Sequence, residues 1–404
     1  MKKTIKDVPL KSKKVLVRVD YNVPLNEQGQ ITNDKRIAAT LPTINYLLEQ
    51  NCAVILMSHL GRPKGKAVAS MSLKPVAARL GELLKKEVLM APDCVGAEVK
   101  KMAANLKNGQ LLLLENLRFH SEEEKNDEAF AAELASLGEA FVQDAFGTVH
   151  RAHASTAGIV KHMPLAACGF LVEKELKFLG ETLNAPQRPF LAILGGAKVS
   201  DKIAVIDNLL TKVDSLIIGG AMAYTFLKAE GIETGKSLVE DDKLSVARDL
   251  LKKAQDKKIS LFIPIDHIVV DKVDFAGKKI DAGASIKETE GAEIPAGFYG
   301  VDIGPMTIKR IAPVVMEART IIWNGPLGVF EIDQFSKGTV EIAGLVAQAT
   351  EKGAVSVIGG GDSIAAAKKA GVDKKISHIS TGGGASLEFL EGKPLPGISA
   401  LPDK

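Results

Sequence analysis

Short apolar runs alternate with stretches of helical periodicity along the whole chain, and this alternation limits the fold more than any other feature. Runs at residues 15–19, 53–57, 88–90, 111–114 and 140–142 occupy the first half. Runs at 190–194, 215–218, 261–263, 320–323, 355–358 and 378–380 occupy the second. Between them, segments such as 73–86, 127–137, 200–210 and 339–352 repeat apolar residues at three- and four-residue spacing, as an amphipathic helix requires. The pattern predicts an α/β protein of parallel sheets covered by helices on both faces. Ligands in such sheets bind beyond the carboxyl ends of the strands, so the residues just after each run carry the chemistry.

With 404 residues the chain has room for two domains, at most three. Residues 171–179 read as an amphipathic helix, and Asn184-Ala185-Pro186-Gln187-Arg188-Pro189 stops it. The domain boundary is expected there. Apolar residues make up 46% and charged residues 25%, enough for sizeable cores and against disorder. The net charge of +3, from 52 basic and 49 acidic residues, argues against a nucleic-acid partner. Three widely spaced cysteines (Cys52, Cys94, Cys168) exclude a disulfide scaffold and favour buried thiols in a reducing compartment. The basic N-terminus lacks the apolar stretch of a secretory signal, and no apolar run approaches the ~18 residues of a membrane span. A soluble, cytoplasmic protein is expected.

The two halves differ in their strand-end residues. Four of the ten arginines (Arg36, Arg62, Arg118, Arg151) and five of the seven histidines lie after or beside runs of the first half. Arginine grips carboxylates and phosphates in a bidentate manner, so these residues would build a pocket for a small polyanion. The second half instead carries glycines: Gly195-Gly196, Gly219-Gly220, Gly359-Gly360-Gly361 and Gly382-Gly383-Gly384. Glycine lets backbone N–H groups approach a phosphate.

Individual motifs leave alternatives open. Asp20 and Asn22, placed by the period of a strand on one side, either bind a substrate's hydroxyl and carboxylate or simply make a turn. His59 and Arg62 flank Gly61 in a strand-end loop suited to an anion. Glu115–His120 and Asp144–His153 have the same form. His150-x-x-His153 lacks the further ligands of a metal site. The run Glu122-Glu123-Glu124-Lys125 reads as a solvated surface. Gly195-Gly196-Ala197-Lys198-Val199-Ser200-Asp201-Lys202 is no P-loop, yet it reads as strand, glycine pair and helix start, with Lys198 and Lys202 four apart on one helix face, either touching the same phosphate or simply exposed. Asn324 and Glu331 flank a glycine loop suited to a ribose or a magnesium shell. Asp362 is either a helix cap or a magnesium ligand. No dinucleotide fingerprint G-x-G-x-x-G/A occurs, which weighs against a nicotinamide dehydrogenase. A binding clamp without chemistry is the non-enzymatic alternative.

Taken together, the motifs resemble phosphoglycerate kinase in order and over essentially the full length. They are VRVDYNVP (17–24), MSHLGRP (57–63), ENLRFH (115–120), DAFGTVHRAH (144–153), GGAKVSDK (195–202), DIGP (302–305), WNGPLGVFE (323–331), GGGDS (359–363) and HISTGGGASL (378–387). The resemblance implies two doubly wound, Rossmann-like parallel-sheet domains joined by a hinge helix. Residues 1–170 would bind phosphoglycerate, 171–188 form the interdomain helix and hinge, and 189–388 bind nucleotide. The tail 389–404 would pack back on the first domain, and residues 386–390 would add to the hinge. It implies the reaction 1,3-bisphosphoglycerate + ADP = 3-phosphoglycerate + ATP, Mg²⁺-dependent, in glycolysis and gluconeogenesis, carried out by a monomer. The glycerate side would be held by Asp20, Tyr21, Asn22, Arg36, His59, Leu60, Gly61, Arg62, Arg118 and Arg151, with His153 beside them. The nucleotide side would be held by Gly196, Ala197, Lys202, Gly220, Gly304, Asn324, Glu331, Gly360, Gly361, Asp362 and Ser363. Asp362 would bind the metal, and Arg36, Lys198, Gly382 and Gly383 would surround the transferred phosphoryl group.

Overall fold

The structure, a computed structural model, describes residues 2–404. It forms two compact units, one of residues up to Lys177 together with Pro394–Lys404, the other of Phe178–Lys393. In the first unit the apolar runs become β1 (Lys14–Arg18), β2 (Ala53–Met57), β3 (Val88–Met90), β4 (Leu111–Leu113), β5 (Ala140–Gln143) and β6 (Ala166–Cys168). They align in the order β3-β4-β2-β1-β5-β6, every pair parallel. Val15 and Val17, Val54 and Leu56, and Leu111 and Leu113 turn to one face, where they pack on Ile37, Ile44 and Val76 of the helices Lys35–Glu49 and Lys74–Leu84. Leu16, Ile55, Leu112 and Phe141 turn to the other and are equally buried.

The second unit repeats the plan with β7 (Phe190–Leu194), β8 (Ser215–Ile218) and β9 (Ser260–Phe262). An insertion follows, with β10 (His267–Val270), β11 (Val273–Asp274), β12 (Lys279–Ile280), β13 (Ile286–Glu288) and β14 (Tyr299–Ile303). The sheet is completed by β15 (Thr320–Asn324), β16 (Val355–Gly359) and β17 (His378–Ile379). Its order is β17-β16-β15-β7-β8-β9, again parallel throughout. Alternate residues of β7 enter different cores. Phe190, Ala192 and Leu194 pack with the helices Ile203–Leu209 and Met222–Ala229, whereas Leu191 and Ile193 pack with Pro305–Glu317 and Lys337–Glu351. Both faces are therefore dry, as a parallel sheet requires.

Neither β6 nor the insertion is among the apolar runs expected to form strands. Ala-Ala-Cys has little strand propensity. β10, β13 and β14 form an antiparallel sheet, and β11 and β12 a hairpin, so no helix alternates with these strands to signal them.

The helix Phe170–Asn184 runs through the boundary between the units, and its first turn is tied to the buried Asp144. Asp144 Oδ1 accepts hydrogen bonds from the backbone N–H of Leu171 at 3.0 Å and Val172 at 3.3 Å. Burial outweighs these bonds and pushes the carboxyl up from 3.8 to about 7. The folded state thus holds this proton more tightly than the unfolded chain. The resulting stability is complete below about pH 4 and is lost as pH rises through about 7. Asp144→Asn keeps the acceptor and removes the ionisation. The stability of this variant relative to wild type should therefore climb between about pH 4 and 7 and level off above. Denaturant unfolding across that range measures the difference, and a flat difference above about pH 5 would show an ordinary carboxyl.

Candidate active site

In the first sheet the strand order reverses between β1 and β5, and in the second between β7 and β15. These switch points are where open α/β sheets form ligand crevices.

At the first, Asp20 and Asn22 lie beyond the end of β1, so strand periodicity does not place them as expected; side-chain bonds do. Asp20 Oδ2 pairs with Arg36 at 3.0 Å, and Asp20 Oδ1 accepts from the Asn22 N–H at 3.2 Å. The Asn22 carbonyl accepts from Arg36 at 3.0 Å, and Asn22 Oδ1 accepts from the Gly61 N–H at 2.9 Å. The Gly61 carbonyl in turn accepts from Arg118 at 2.9 Å. Asp20, Asn22, Arg36, Gly61 and Arg118 are thus one bonded set, drawn from three strand-end loops and one helix. His59 lies beside it, with Nδ1 3.9 Å from Asp20, beyond hydrogen-bond distance. Arg151 is close enough for its charge to act on Arg118, and Arg62 is exposed beside Gly61.

Two expected contributors turn inward. The Tyr21 side chain is fully buried with its hydroxyl 2.9 Å from Thr40 Oγ1, so only its backbone remains near the loop. Leu60 is buried, its N–H and carbonyl both held by the Asn116 amide. The imidazoles are kept neutral. Burial, then the positive charges of Arg18 and Arg118, push His59 well below 6.5 and His153 down to about 3.

The acidic run at 122–125 is a correction. Glu122 and Glu124 are exposed, but Glu123 has no exposed surface and accepts from the Ser155 hydroxyl at 2.6 Å and the Ser155 N–H at 2.9 Å. Arg18, 1% exposed, is a further buried charge that no motif marked as such. The available signal was an arginine inside the apolar run 15–19.

At the second switch point the floor is backbone against backbone. A Cβ on Gly195 would lie 1.9 Å from the Pro326 carbonyl oxygen, and one on Gly325 would lie 2.1 Å from the Gly195 oxygen. Gly220 N–H donates to the Leu327 carbonyl at 3.0 Å, closing the third loop onto the other two. Above this floor is a cavity of about 600 Å³. Gly196, Ala197, Gly220, Glu331 and Asp362 line it. So do Leu238, Phe275 and Tyr299, which no motif marked. Leu238 and Phe275 are about half exposed, unusual for large apolar side chains and suited to covering a flat ligand.

Lys198 and Lys202 do not share a helix face. The helix starts only at Ile203; Lys198 is exposed on the preceding loop, while Lys202 is buried with Nζ on Asn324 Oδ1. Burial lowers the Lys202 ammonium pKa. Asn324 Nδ2 is buried without a hydrogen-bond partner, beside Gly360. Gly360 precedes the helix Gly361–Lys369, whose first turn carries Asp362, and Ser363 Oγ accepts from the Gly325 N–H at 2.5 Å. Gly382 and Gly383 precede the short helix Gly384–Leu390. Gly304 is packed on the Asp266 carboxylate at the start of Pro305–Glu317 and is not among the residues lining this cavity.

Two other features bear on chemistry. Cys52, Cys94 and Cys168 are free and buried, and burial raises all three thiols, Cys168 to about 12, as inert interior cysteines behave. Among the described residues, Asp93, Cys94 and His120 bring three possible metal-ligating atoms together, but His120 already spends Nε2 on Asp93 at 2.7 Å. No helix among the described residues is long and apolar enough to cross a membrane.

The family model described as phosphoglycerate kinase matches residues 5–393. The chain belongs to the phosphoglycerate kinase family. A phosphoglycerate kinase of Chlorobium phaeobacteroides (strain BS1) is 56% identical over 402 residues, covering 100% of both chains. One of Clostridium novyi (strain NT) is 55% identical over 405 residues, covering 100% of this chain and 99% of its own. The solved phosphoglycerate kinase of Coxiella burnetii superposes with a TM-score of 0.89 at 43% identity, over 99% of this chain and 98% of that one. That of Pyrococcus horikoshii OT3 gives 0.78 at 33%, over 98% of each. The chain is accordingly a phosphotransferase of this family, catalysing reversible transfer between 1,3-bisphosphoglycerate and ADP.

The loop packing makes one site directly testable. Gly195→Ala should lower the stability of the second unit by about 1–3 kcal/mol, because backbone and not a flexible side chain must move. Gly361→Ala, whose Cβ would meet nothing within 4 Å, should leave it unchanged. Denaturant titrations of the two variants give the comparison, and equal losses would deny the interlocked floor.

Proposed function

We propose that the bonded set of the first unit holds the glycerate substrate and that the cavity of the second holds ADP or ATP. The observation that carries this reading is the chemical contrast between the two switch points: arginine side chains at one, a glycine floor under an apolar-rimmed cavity at the other. Asp20 and Asn22 fix Arg36, and Arg118, His59, Arg62 and Arg151 complete the anion site. Lys202 and Asn324, with the amides near Gly196 and Gly360–Ser363, face the phosphate end of the nucleotide. The unpartnered Asn324 Nδ2 is a donor waiting for an acceptor.

A magnesium ion fits this donor set. Asp362 is an exposed carboxylate lining the cavity, and Mg²⁺ favours one or two carboxylates together with phosphate oxygens. When bound there with nucleotide, Mg²⁺ would neutralise phosphate charge.

An acyl phosphate has a good leaving group, and the attacking ADP oxygen is already ionised, so no general base is needed. The residues must align the two oxygens and neutralise charge on the transferred group. Arg36, Lys198 and the amides of Gly382 and Gly383 supply this. Loss of one such donor typically costs ~3–4 kcal/mol of barrier, about 10²–10³ in rate. Because the two sites belong to different units, turnover requires that they meet. Residues 171–189, with a second contribution near 386–390, act as the hinge, and closure shields the acyl phosphate from water. The same reading has the enzyme working as a cytoplasmic monomer, which sedimentation would test.

Turnover of 3-phosphoglycerate and MgATP, followed through a coupled reaction, tests the whole proposal; its absence would favour a binding clamp. Arg36→Ala should lower turnover by about 10²–10³ while barely changing nucleotide affinity, and equal damage to both would contradict its role. Asp362→Ala should weaken MgADP far more than metal-free ADP in calorimetric titrations; identical losses would remove it from the metal site. Scattering should show compaction with both substrates bound, and unchanged curves would count against the hinge.

A further inference from the structure

The charged interior behind the anion site has no part in the roles assigned above. Arg18 ends β1 and is almost completely buried. Its Nε donates to Ser155 Oγ at 2.7 Å, Nη1 donates to the Val19 carbonyl, and Nη2 lies 3.4 Å from His59 Nδ1. Ser155 passes the contact on by donating to Glu123, whose carboxylate also lies 3.9 Å from Arg18 Nη2. Taking both charges of such a pair out of water is expensive, and replacing buried pairs by apolar residues is often neutral or better. Fold stability alone therefore gives a weak reason for this pair, and its contact with His59 supplies a stronger one.

A guanidinium is a donor at every nitrogen and does not lose its proton in proteins. An imidazole nitrogen facing it at hydrogen-bond distance must present a lone pair. The other groups around the ring agree. Burial and the cations Arg18, Arg118 and Arg36, with His153, all oppose protonation of His59. The Asp20 carboxylate, which favours a proton on Nδ1, stands off at 3.9 Å and is already paired with Arg36 at 3.0 Å.

We propose that Arg18 is a positioning residue for the phosphotransferase: by donating to His59 Nδ1 it fixes the ring proton on Nε2, so that His59 meets the anionic substrate as a directed hydrogen-bond donor. Glu123 and Ser155 hold Arg18 in place for this. The inference rests on the reading of the first unit as the glycerate site.

Long-range ¹H–¹⁵N NMR of the full-length, histidine-labelled enzyme tests it without substrate, with His59→Gln assigning the signals. Nε2 should appear protonated and Nδ1 bare, unchanged from about pH 6 to about pH 8. A proton on Nδ1, or a ring titrating near its ordinary 6.5, overturns the inference whatever the substrate does. Saturating 3-phosphoglycerate should then shift Nε2. A correct tautomer with unmoved signals would overturn the reading of the site, and with it the role of Arg18, but not the tautomer itself. Arg18→Met combined with Glu123→Gln removes both charges and leaves no lone buried carboxylate. In it the tautomers should mix, and KM for 3-phosphoglycerate should become pH-dependent while KM for MgATP holds. Arg18→Lys, which keeps a donor, should restore the wild-type tautomer. A double variant with the wild-type tautomer and a flat KM would refute the proposal.

Discussion

A strand covered by helices on both faces has nowhere to put a polar side chain except at its ends. Every residue of β2, β7 and β15 is buried, and the alternation along β7 sends its side chains into two separate apolar cores. Polar chemistry is thereby confined to the loops at the strand ends. In the two parallel sheets the buried charged or amide side chains that enter a strand, Arg18 of β1, Gln143 of β5 and Asn324 of β15, occupy its last position, and Lys14 stands at the first position of β1. Where the strand order reverses, neighbouring helices lie on opposite faces and the loops part, which leaves a crevice in each unit.

The two crevices are built by different physics. The first relies on side chains, with two arginines oriented by acceptors: Arg36 by Asp20 and the Asn22 carbonyl, Arg118 by the Gly61 carbonyl and Glu124. The second relies on close backbone approach, so that Gly195 and Gly325 touch with no room for a Cβ. Phosphate recognition by main-chain amides needs that closeness, and recognition by guanidinium groups needs reach and a rigid fork.

This difference explains what could be read from the residues alone. Both sheets, β6 apart, were legible because parallel strands buried on two faces appear as continuous apolar runs. The arginines of the first unit and the glycine floor of the second were legible because their residues follow those runs or stand beside them. Leu238, Phe275 and Tyr299 were not, since they come from loops and an antiparallel insertion that bear no motif, and only the tertiary fold brings them to the cavity. Glu123 was misread for a related reason. In a run of like charges, composition cannot say which carboxylate turns inward; that depends on Ser155 and Arg18, which lie far away in sequence. The spacing of Lys198 and Lys202 misled because helix periodicity applies only once a helix has begun, and here it begins at Ile203.

The acceptors in the first crevice also set a limit on what it can bind. Arg36 already holds a carboxylate, Arg118 lies 3.3 Å from Glu124, and Arg18 faces Glu123. A ligand with a single weak charge would gain little by sharing such cations, because part of their attraction is already spent. Under the proposed reading, a ligand carrying a phosphate and a carboxylate engages several of them at once and adds the exposed Arg62 and the partly exposed Arg151. The internal carboxylates thus hold the arginines apart and aimed when the site is free, and they raise the charge a ligand must bring to compete. Neutral imidazoles serve the same end, since His59 and His153 add nothing to the repulsion among the cations.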